Sequence, residues 1–557
     1  MTIRAARRKC DEMKSGVFFS APQRPDKSAL LKILLFSLFF TVVPGAGVLY
    51  AQPAGTGEPA MAERYVLWAK DKIDNGLWGE ALAGLERASD FAGVSSDISY
   101  LLALVRFHEN MSRGSVLEAL EKALAVDTWG LYGSEAARLL KAEILIALRA
   151  YPEALAELSR VSRSPEEAEL TLKALVFFRP EEFRRYMANT LDRYPRECGP
   201  VRVFFSYLKN EDIAGRNPGR EDLELLELVT RRLPVLLLKD EELAWMAAPF
   251  VRDRGDARRL VSAYRAVNEP VPSSLPISLW LGIIDDETAI EELFSAGGGK
   301  TPLDLDLLTE IWGLLRREET REIFRRNLSA YSGVITEDAD WDGIPETFAE
   351  YREGILVSSS YDVNQDGVPN LAVYFEAGNP SRGQVLIPPD AVGQNSANAG
   401  RAAVQWERYP SLLEVELNGV RYVPRPLDFY YQPFRFIELW RSGIQFPQRD
   451  PLCPPLTRRV LVSHSLRVER PSLEFSGGRE VVELNQGIPV RAREYVGELM
   501  VSETDFLRGR PQLQRVDLNL DGHIDTFRHF KRDFRQTELE ELWDYDREID
   551  YTVTIEE

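Results

Sequence analysis

The chain contains 557 residues, with 68 basic and 87 acidic side chains and a formal net charge of −19 at pH 7. One hydrophobic core does not extend over such a length, so roughly two or three domains are expected. The 44% hydrophobic and 28% charged residues are those of a folded protein. The acidic excess argues against binding to nucleic-acid phosphates, and it suits the binding of cations.

The N-terminal segment has the pattern of an export signal. Basic residues precede a short apolar run at 33–43, which is shorter than a comfortable membrane span. Small residues follow, and Ala51 offers a signal-peptidase type of site before Gln52. We therefore predict that 1–51 is a signal peptide and that the protein is exported to a periplasm or a cell surface. An uncleaved membrane anchor is the alternative.

Residues 61–330 have the periodicity of helices, and 61–165 contain three copies of a helix-turn-helix unit with a period of about 34 residues. Small residues let paired helices approach closely, and large ones fill the space between neighbouring units. The positions concerned are Tyr65, Trp68, Ala69, Gly76, Ala81, Leu85 and Ala88 in the first unit, Tyr100, Leu104, Phe107, Val116, Leu120 and Ala123 in the second, and Ala142, Leu145, Tyr151, Ala154, Leu158 and Val161 in the third.

This spacing resembles that of the tetratricopeptide repeat (TPR) family. The resemblance implies an α-solenoid over 61–330, most clearly over 61–165, that binds a protein or peptide partner on its concave face. A generic helical bundle with alanine-rich contacts is the alternative. On the TPR interpretation the protein is a non-enzymatic interaction scaffold.

The region 331–557 is predicted to be rich in strands. Short alternating runs such as 413–417 and 479–484 are separated by Asn-Gly, Pro-Pro and Gly-Gly turns. The expected fold class is therefore a multidomain α + β protein, in which a TPR-like α-solenoid precedes a strand-rich C-terminal domain.

Three loops in the strand-rich region carry the pattern D-x-[DN]-x-D-G. Each has an oxygen-bearing side chain at positions 1, 3, 5 and 9 and a glycine at position 6, which permits a sharp turn. Calcium prefers several oxygen ligands in a tight loop of this kind. The predicted metal ligands are Asp338, Asp340, Asp342 and Glu346, then Asp362, Asn364, Asp366 and Asn370, and finally Asp517, Asn519, Asp521 and Asp525.

These loops resemble the DxDxDG loops of thrombospondin type 3 and dockerin-like modules, which implies Ca²⁺ as the cofactor. We expect the bound calcium to stabilise the strand-rich β domain, because an ion that binds only the folded state shifts the folding equilibrium. Position 12, where an EF-hand has a bidentate glutamate, is Ala349, Val373 or Arg528. Weak affinity is therefore expected, with a dissociation constant on the order of 10⁻⁴–10⁻³ M. Turns in which aspartate caps its own backbone are the alternative interpretation.

The aromatic cluster at 429–440 has two interpretations. Its side chains form either the core of a strand pair, which is the favoured interpretation, or a platform for a sugar. No HExxH, CxxC or G-x-S-x-G pattern occurs, so the common zinc and serine-nucleophile signatures are lacking. The alternative to a scaffold is a cell-envelope glycan-binding protein or an enzyme acting on polysaccharide. Pairing of Cys198 with Cys453 is left open.

Overall fold

The computed structural model describes residues 58–554 except 93–94, 110, 214–217, 270, 297–300, 388–399, 427–428, 441–442, 532–535, 542–548 and 550. The predicted signal peptide lies outside the described residues. Two compact units are present. The first contains the described residues up to Phe348 together with Asp362–Val368, and the second contains Ala349–Tyr361 and the residues from Pro369 onward.

The first unit is built mainly from helices. Helices α1–α16 are Glu58–Asp74, Trp78–Ala92, Ser96–His108, Arg113–Val126, Ser134–Ala147, Tyr151–Leu158, Pro165–Phe178, Pro180–Arg193, Gly199–Ile213, Arg220–Leu236, Leu243–Ala247, Arg254–Val267, Leu275–Trp280, Asp286–Ala296, Leu305–Leu314 and Glu318–Ser329. Short 3-10 turns lie at Ala248–Phe250 and Pro272–Ser274. Strand β1 (Leu303–Asp304) pairs in parallel with β2 (Gly333–Glu337).

Helices α1–α6 pack as three successive pairs, α1 with α2, α3 with α4 and α5 with α6. Many of the predicted contact positions are buried, whereas Trp68 is 41% exposed. Those with no exposed surface include Ala69, Ala81, Leu85, Ala88, Leu120, Ala123 and Ala154. Gly84 lets the Trp68 ring lie against α2, since a Cβ there would come within 2.5 Å of the ring. The predicted TPR-like α-solenoid is confirmed in this part of the chain.

A buried carboxylate fixes the link between the second and third helix pairs. Asp97 Oδ2 accepts hydrogen bonds from the backbone N–H of Gly130 at 2.8 Å and of Leu131 at 3.0 Å. Its Oδ1 accepts a further bond from the N–H of Tyr132 at 3.0 Å. Backbone groups that the helices leave unpaired are thereby satisfied, and α5 starts in a defined direction.

The second unit is a strand-rich region with one short helix. After β3 (Thr347–Arg352), strands β4–β9 are Ile355–Tyr361, Leu371–Glu376, Asn379–Ile387, Gly400–Arg408, Ser411–Leu417 and Val420–Pro424, and β10 and β11 are Phe434–Glu438 and Gln445–Arg449. Helix α17 (Arg458–His464) precedes strands β12–β19, which are Ser465–Pro471, Arg479–Asn485, Ile488–Val496, Leu499–Leu507, Arg510–Val516, Thr526–Phe530, Gln536–Glu541 and Tyr551–Thr554.

Antiparallel pairing runs through this unit almost in chain order. Strands β4–β9 pair each with the next, β9 pairs with β12, and the ladder continues strand by strand to β19. Short turns join most neighbouring strands. In the Asn418-Gly419 turn both residues have a positive φ, +53° and +74°, as a tight hairpin turn requires. The predicted strand-rich region is therefore confirmed, and with it the α + β fold class.

Part of the aromatic cluster, including Phe434 on the β10–β11 hairpin, lies in a core, whereas Tyr430 is 56% exposed. Phe434 has no exposed surface, Tyr431 is buried, and Phe434 packs against the rings of Tyr361 and Phe375. The hydroxyl of Tyr361 also donates a hydrogen bond to the carbonyl of Pro447 at 2.6 Å. A sugar platform would need these faces to be exposed, so the structure favours the core interpretation of the cluster.

Two further observations concern the whole described chain. Within the described residues, no helix combines the length and apolar character that a membrane crossing requires. Cys198 and Cys453 are both free thiols. Burial raises the pKa of Cys198 to about 11, so this thiol is protonated at neutral pH.

Candidate metal centre

The three acidic segments, called here loop 1 (338–346), loop 2 (362–370) and loop 3 (517–525), have the same backbone conformation. Position 4 is left-handed in each, with φ of +72°, +53° and +64°, and the glycine at position 6 has φ of +92°, +82° and +94°. The carboxylate at position 1 accepts a hydrogen bond from that glycine's N–H at 2.7, 2.8 and 2.7 Å. The sequence repeat is thus also a structural repeat.

The boundary between the units separates the three loops. Helix gives way to strand between Ser329 and Gly333, yet loop 1 and most of loop 2 belong to the same compact unit as the helices. Loop 3 lies in the strand-rich unit, as does Asn370 at position 9 of loop 2. Any cation bound at loop 1 would therefore act on the helical unit rather than on the strand-rich one.

Loop 1 brings carboxylates together. Oxygens of Asp338, Asp340 and Glu346 lie within 4.8 Å of one another, and within the described residues no other group of three acidic, histidine or cysteine side chains converges in this way. Asp338 and Glu346 are buried, whereas the Asp340 side chain is 33% exposed. Burial, followed by the charges of Asp342 and Glu346, raises the pKa of Asp338 to about 8, and burial likewise raises the pKa of Glu346. The cluster therefore favours a positive partner.

Such a partner reaches the loop from the helical array. Arg149 Nη2 lies 2.9 Å from Glu346 Oε1, and the same group contacts the Asp340 carboxylate. Arg149 Nε lies 3.5 Å from Asp342 Oδ2. One guanidinium therefore bridges the side chains at positions 3, 5 and 9 of loop 1.

Arg149 is not among the residues predicted from the sequence. It lies two residues before α6, in the turn between the helices of the third pair, and its φ is +60°. Gly76 holds the corresponding place two residues before α2, with φ of +71°. Left-handed backbone is unfavourable for a residue with a Cβ. An arginine at the position where the first repeat has a turn glycine was therefore the feature of the sequence that could have indicated a special role for Arg149.

Loop 2 lies against the equivalent turn of the second helix pair. The N–H of Arg113 donates a hydrogen bond to the carbonyl of Asp366 at 2.7 Å. Gly367 comes so close that a Cβ there would lie 3.5 Å from the Met111 carbonyl oxygen. Within the loop, the amide of Asn364 donates a hydrogen bond to Asp366 Oδ2 at 2.8 Å. In loop 1 the corresponding oxygen, Asp342 Oδ2, faces Arg149 instead.

Loop 3 is likewise closed by its own amide and backbone groups. Asn519 Nδ2 donates to Asp521 Oδ2 at 3.1 Å, and Asp525 Oδ2 accepts the N–H of Leu518 at 3.1 Å. Asp517 is fully buried. Of the twelve predicted ligands, the loop 1 set is therefore the one in which three carboxylates face a common point.

Known proteins with similarity to this chain do not assign it to a family. No protein-family model matches the chain. An uncharacterized protein of Treponema pallidum (strain Nichols) is 22% identical over 93% of this chain and 79% of its own length.

Three solved structures are similar in part. The pilF protein of Pseudomonas aeruginosa is 16% identical, covers 43% of this chain and 91% of its own length, and has a TM-score of 0.26. YrrB, a TPR protein with an unusual peptide-binding site, is 17% identical, covers 32% of this chain and 92% of its own, and has a TM-score of 0.26. A tetratricopeptide repeat protein of Parabacteroides merdae is 11% identical, covers 48% of this chain and 99% of its own, and has a TM-score of 0.31. These TM-scores are too low to carry an argument, so the fold assignment rests on the helix packing described above.

Replacement of Gly343 by alanine is expected to destabilise the helical unit by about 1–2 kcal/mol, because φ of +92° is strained for a residue with a Cβ. Sterics do not contribute, since no atom lies within 4 Å of the added Cβ. Urea unfolding of the full chain, followed by circular dichroism at the helix band, measures the change.

Gly114 is the matched control. It lies in α4 with equally open surroundings, so Gly114→Ala should leave stability unchanged or raise it by up to ~1 kcal/mol. Equal effects of the two substitutions would contradict the interpretation of loop 1 as a strained turn.

Proposed function

We propose that this protein is an exported, non-enzymatic interaction scaffold. Its TPR-like array binds a protein or peptide partner on the concave face, and loop 1 binds a calcium ion that stabilises the helical unit. The convergence of the Asp338, Asp340 and Glu346 carboxylates within 4.8 Å is the observation that carries the metal proposal. Helix pairs with apolar side chains left on their surface support the scaffold proposal.

Calcium suits loop 1 better than a transition metal does. The ligands on offer are carboxylate oxygens, which hard cations prefer, and neither a thiolate nor an imidazole belongs to the converging group. Asp342 adds the charge of a fourth carboxylate at position 5, which acts on both Asp338 and Glu346. Loops 2 and 3 each replace the carboxylate at position 3 by an amide, and this lower charge makes them weaker candidates for binding a cation.

Calcium should raise the unfolding temperature of the helical unit. A ligand that binds only the folded state stabilises it according to its concentration relative to Kd, so 10 mM calcium with a Kd of about 10⁻⁴–10⁻³ M contributes roughly 1.4–2.7 kcal/mol. For a unit of this size we expect a shift of a few degrees. Thermal unfolding of chelator-treated full-length protein across a calcium titration measures it.

Magnesium at the same concentration and the variant Asp340→Asn are the controls. Magnesium should give a smaller shift, because it demands near-octahedral geometry and loses its water reluctantly. Asp340→Asn removes one of the three converging carboxylates without removing a buried group, so it should abolish the calcium shift while leaving the metal-free protein folded. An identical calcium shift in this variant would place the ion elsewhere.

The surface of the array offers places for a partner. Phe177 and Phe178, at the end of α7, are 40% and 37% exposed, and the ring of Phe177 stacks on Tyr151 with centroids 5.8 Å apart. Exposed aromatic side chains are the residues that most often anchor a protein partner. They support a peptide-binding role for this helical unit.

Peptides selected on the full-length protein from a display library should bind less tightly to the double variant Phe177→Ser/Phe178→Ser. A loss of at least tenfold in affinity is expected if these rings act as anchors, since anchors contribute about 2 kcal/mol or more. Leu238→Ser, at an exposed apolar residue of the same unit, is the control. Equal binding by both variants would exclude this surface, and failure to select any peptide would count against the scaffold proposal.

Export is proposed from the basic segment, the apolar run at 33–43 and the small residues before Gln52. N-terminal sequencing of the mature protein, recovered from the host that makes it, should begin at Gln52. A mature protein that retains the apolar run would instead support the membrane anchor.

A further inference from the structure

The contact between Arg149 and loop 1 involves the same oxygens that a bound cation would need. Arg149 Nη2 lies 2.9 Å from Glu346 Oε1 and contacts Asp340, and both side chains belong to the converging group. A calcium ion requires oxygens at roughly 2.3–2.6 Å on several sides. A guanidinium and a divalent ion therefore cannot both sit among these carboxylates.

The Asp342 side chain points to the same place. It is only 7% exposed, and its Oδ2 atom accepts no hydrogen bond within the described residues. Its nearest cationic neighbour is Arg149 Nε at 3.5 Å, which is beyond the usual distance of a strong charge-assisted bond. A buried carboxylate oxygen that is incompletely satisfied costs stability, and a small ion placed among the four carboxylates would satisfy it better than the guanidinium does.

Gln365 adds an independent contact from loop 2. It is almost completely buried, and its Nε2 atom donates to Glu346 Oε1 and to the carbonyl of Ile344, each at 3.2 Å. Its Oε1 atom accepts no hydrogen bond within the described part of the chain. The site is thus bounded by a second loop whose amide is held against Glu346, and this contact with Glu346 does not involve Arg149.

We propose that Arg149 is a built-in competitor of the cation at loop 1. This inference rests on the proposed function, because it describes how the same site is regulated. With Arg149 in place, its guanidinium neutralises part of the charge of the four carboxylates and ties the α5–α6 turn to loop 1. Calcium binding displaces the guanidinium and releases that turn.

Competition makes the two states reciprocal. The contacts of Arg149 with loop 1 lower the affinity of the loop for calcium. Bound calcium weakens the contacts of Arg149 with the loop by the same factor. The left-handed backbone at Arg149, with φ of +60°, carries a conformational cost for a non-glycine residue. Backbone hydrogen bonds within the turn, such as that from the Arg149 N–H to the carbonyl of Ile146 at 2.9 Å, offset this cost together with the ion pairs. Cation concentration would thus control whether the third helix pair is tied to loop 1.

Isothermal titration of the full-length protein with calcium chloride tests this proposal. Arg149→Gly removes the competitor and supplies the residue that the first repeat has at this turn, so it should fold. We expect its calcium dissociation constant to fall by at least tenfold relative to the unaltered protein, with Arg149→Lys in between, because lysine keeps the charge but loses the planar fork.

Arg231→Ala is the control for the change in net charge. Arg231 is an exposed residue whose partner is Glu227, one helical turn away, so its removal should change calcium affinity by less than twofold. Adding Asp340→Asn to Arg149→Gly should remove the gain and thereby assign it to loop 1.

The outcomes separate the inference from the proposed function. Tighter calcium binding by Arg149→Gly supports both, even if the unaltered protein binds too weakly to measure. Equal or weaker binding by Arg149→Gly, with calcium still bound, overturns the competition and leaves the calcium site standing. Absence of calcium binding in every variant overturns the calcium site and the competition together.

Discussion

Repulsion between carboxylates is the constraint on which the arrangement of loop 1 depends. Asp338, Asp340, Asp342 and Glu346 occupy one short turn, two of them are buried, and burial weakens the screening that water would provide. Backbone N–H groups stabilise part of this charge, as in the bonds from Trp341 and Gly343 to Asp338 at 2.8 and 2.7 Å. The remaining negative charge favours a cation, and the guanidinium of Arg149 makes ion pairs with three of these carboxylates.

Two repeats of different kinds meet at this point. The acidic loops follow one another along the chain, and the helix pairs do so with a different period. Loop 2 contacts the turn before α4 through Arg113, and loop 1 contacts the turn before α6 through Arg149. Loops 1 and 2 therefore lie on neighbouring turns of the array, in the reverse of their order along the chain. The polar turns before α4 and α6 thus have loops 2 and 1 as partners. These contacts explain why the two loops belong to the helical unit.

The strand-rich unit follows a different principle. Its ladder pairs neighbouring strands largely in chain order, so most strand contacts are local in sequence. The β10–β11 hairpin packs the Phe434 ring against Tyr361 and Phe375 of the sheet. Farther along, cross-strand ion pairs replace apolar burial, as where Arg493 lies 3.0 Å from both Glu483 and Glu503. Partly exposed pairs of this kind contribute modestly to stability, and they suit a sheet with water-accessible residues.

The amino-acid sequence by itself determined the helix pairs, the strands and the three loops. Each of these depends on residues close together in the chain: alanines at helical spacing such as Ala81 and Ala88, alternation in strands, and a glycine at position 6 of each loop. The sequence did not reveal that Arg149 fills loop 1, nor that loops 1 and 2 join the helical unit. Arg149 precedes Glu346 by 197 residues, and an ion pair depends on distance in space rather than on separation in sequence. Only the tertiary structure could decide which positive charge meets these carboxylates.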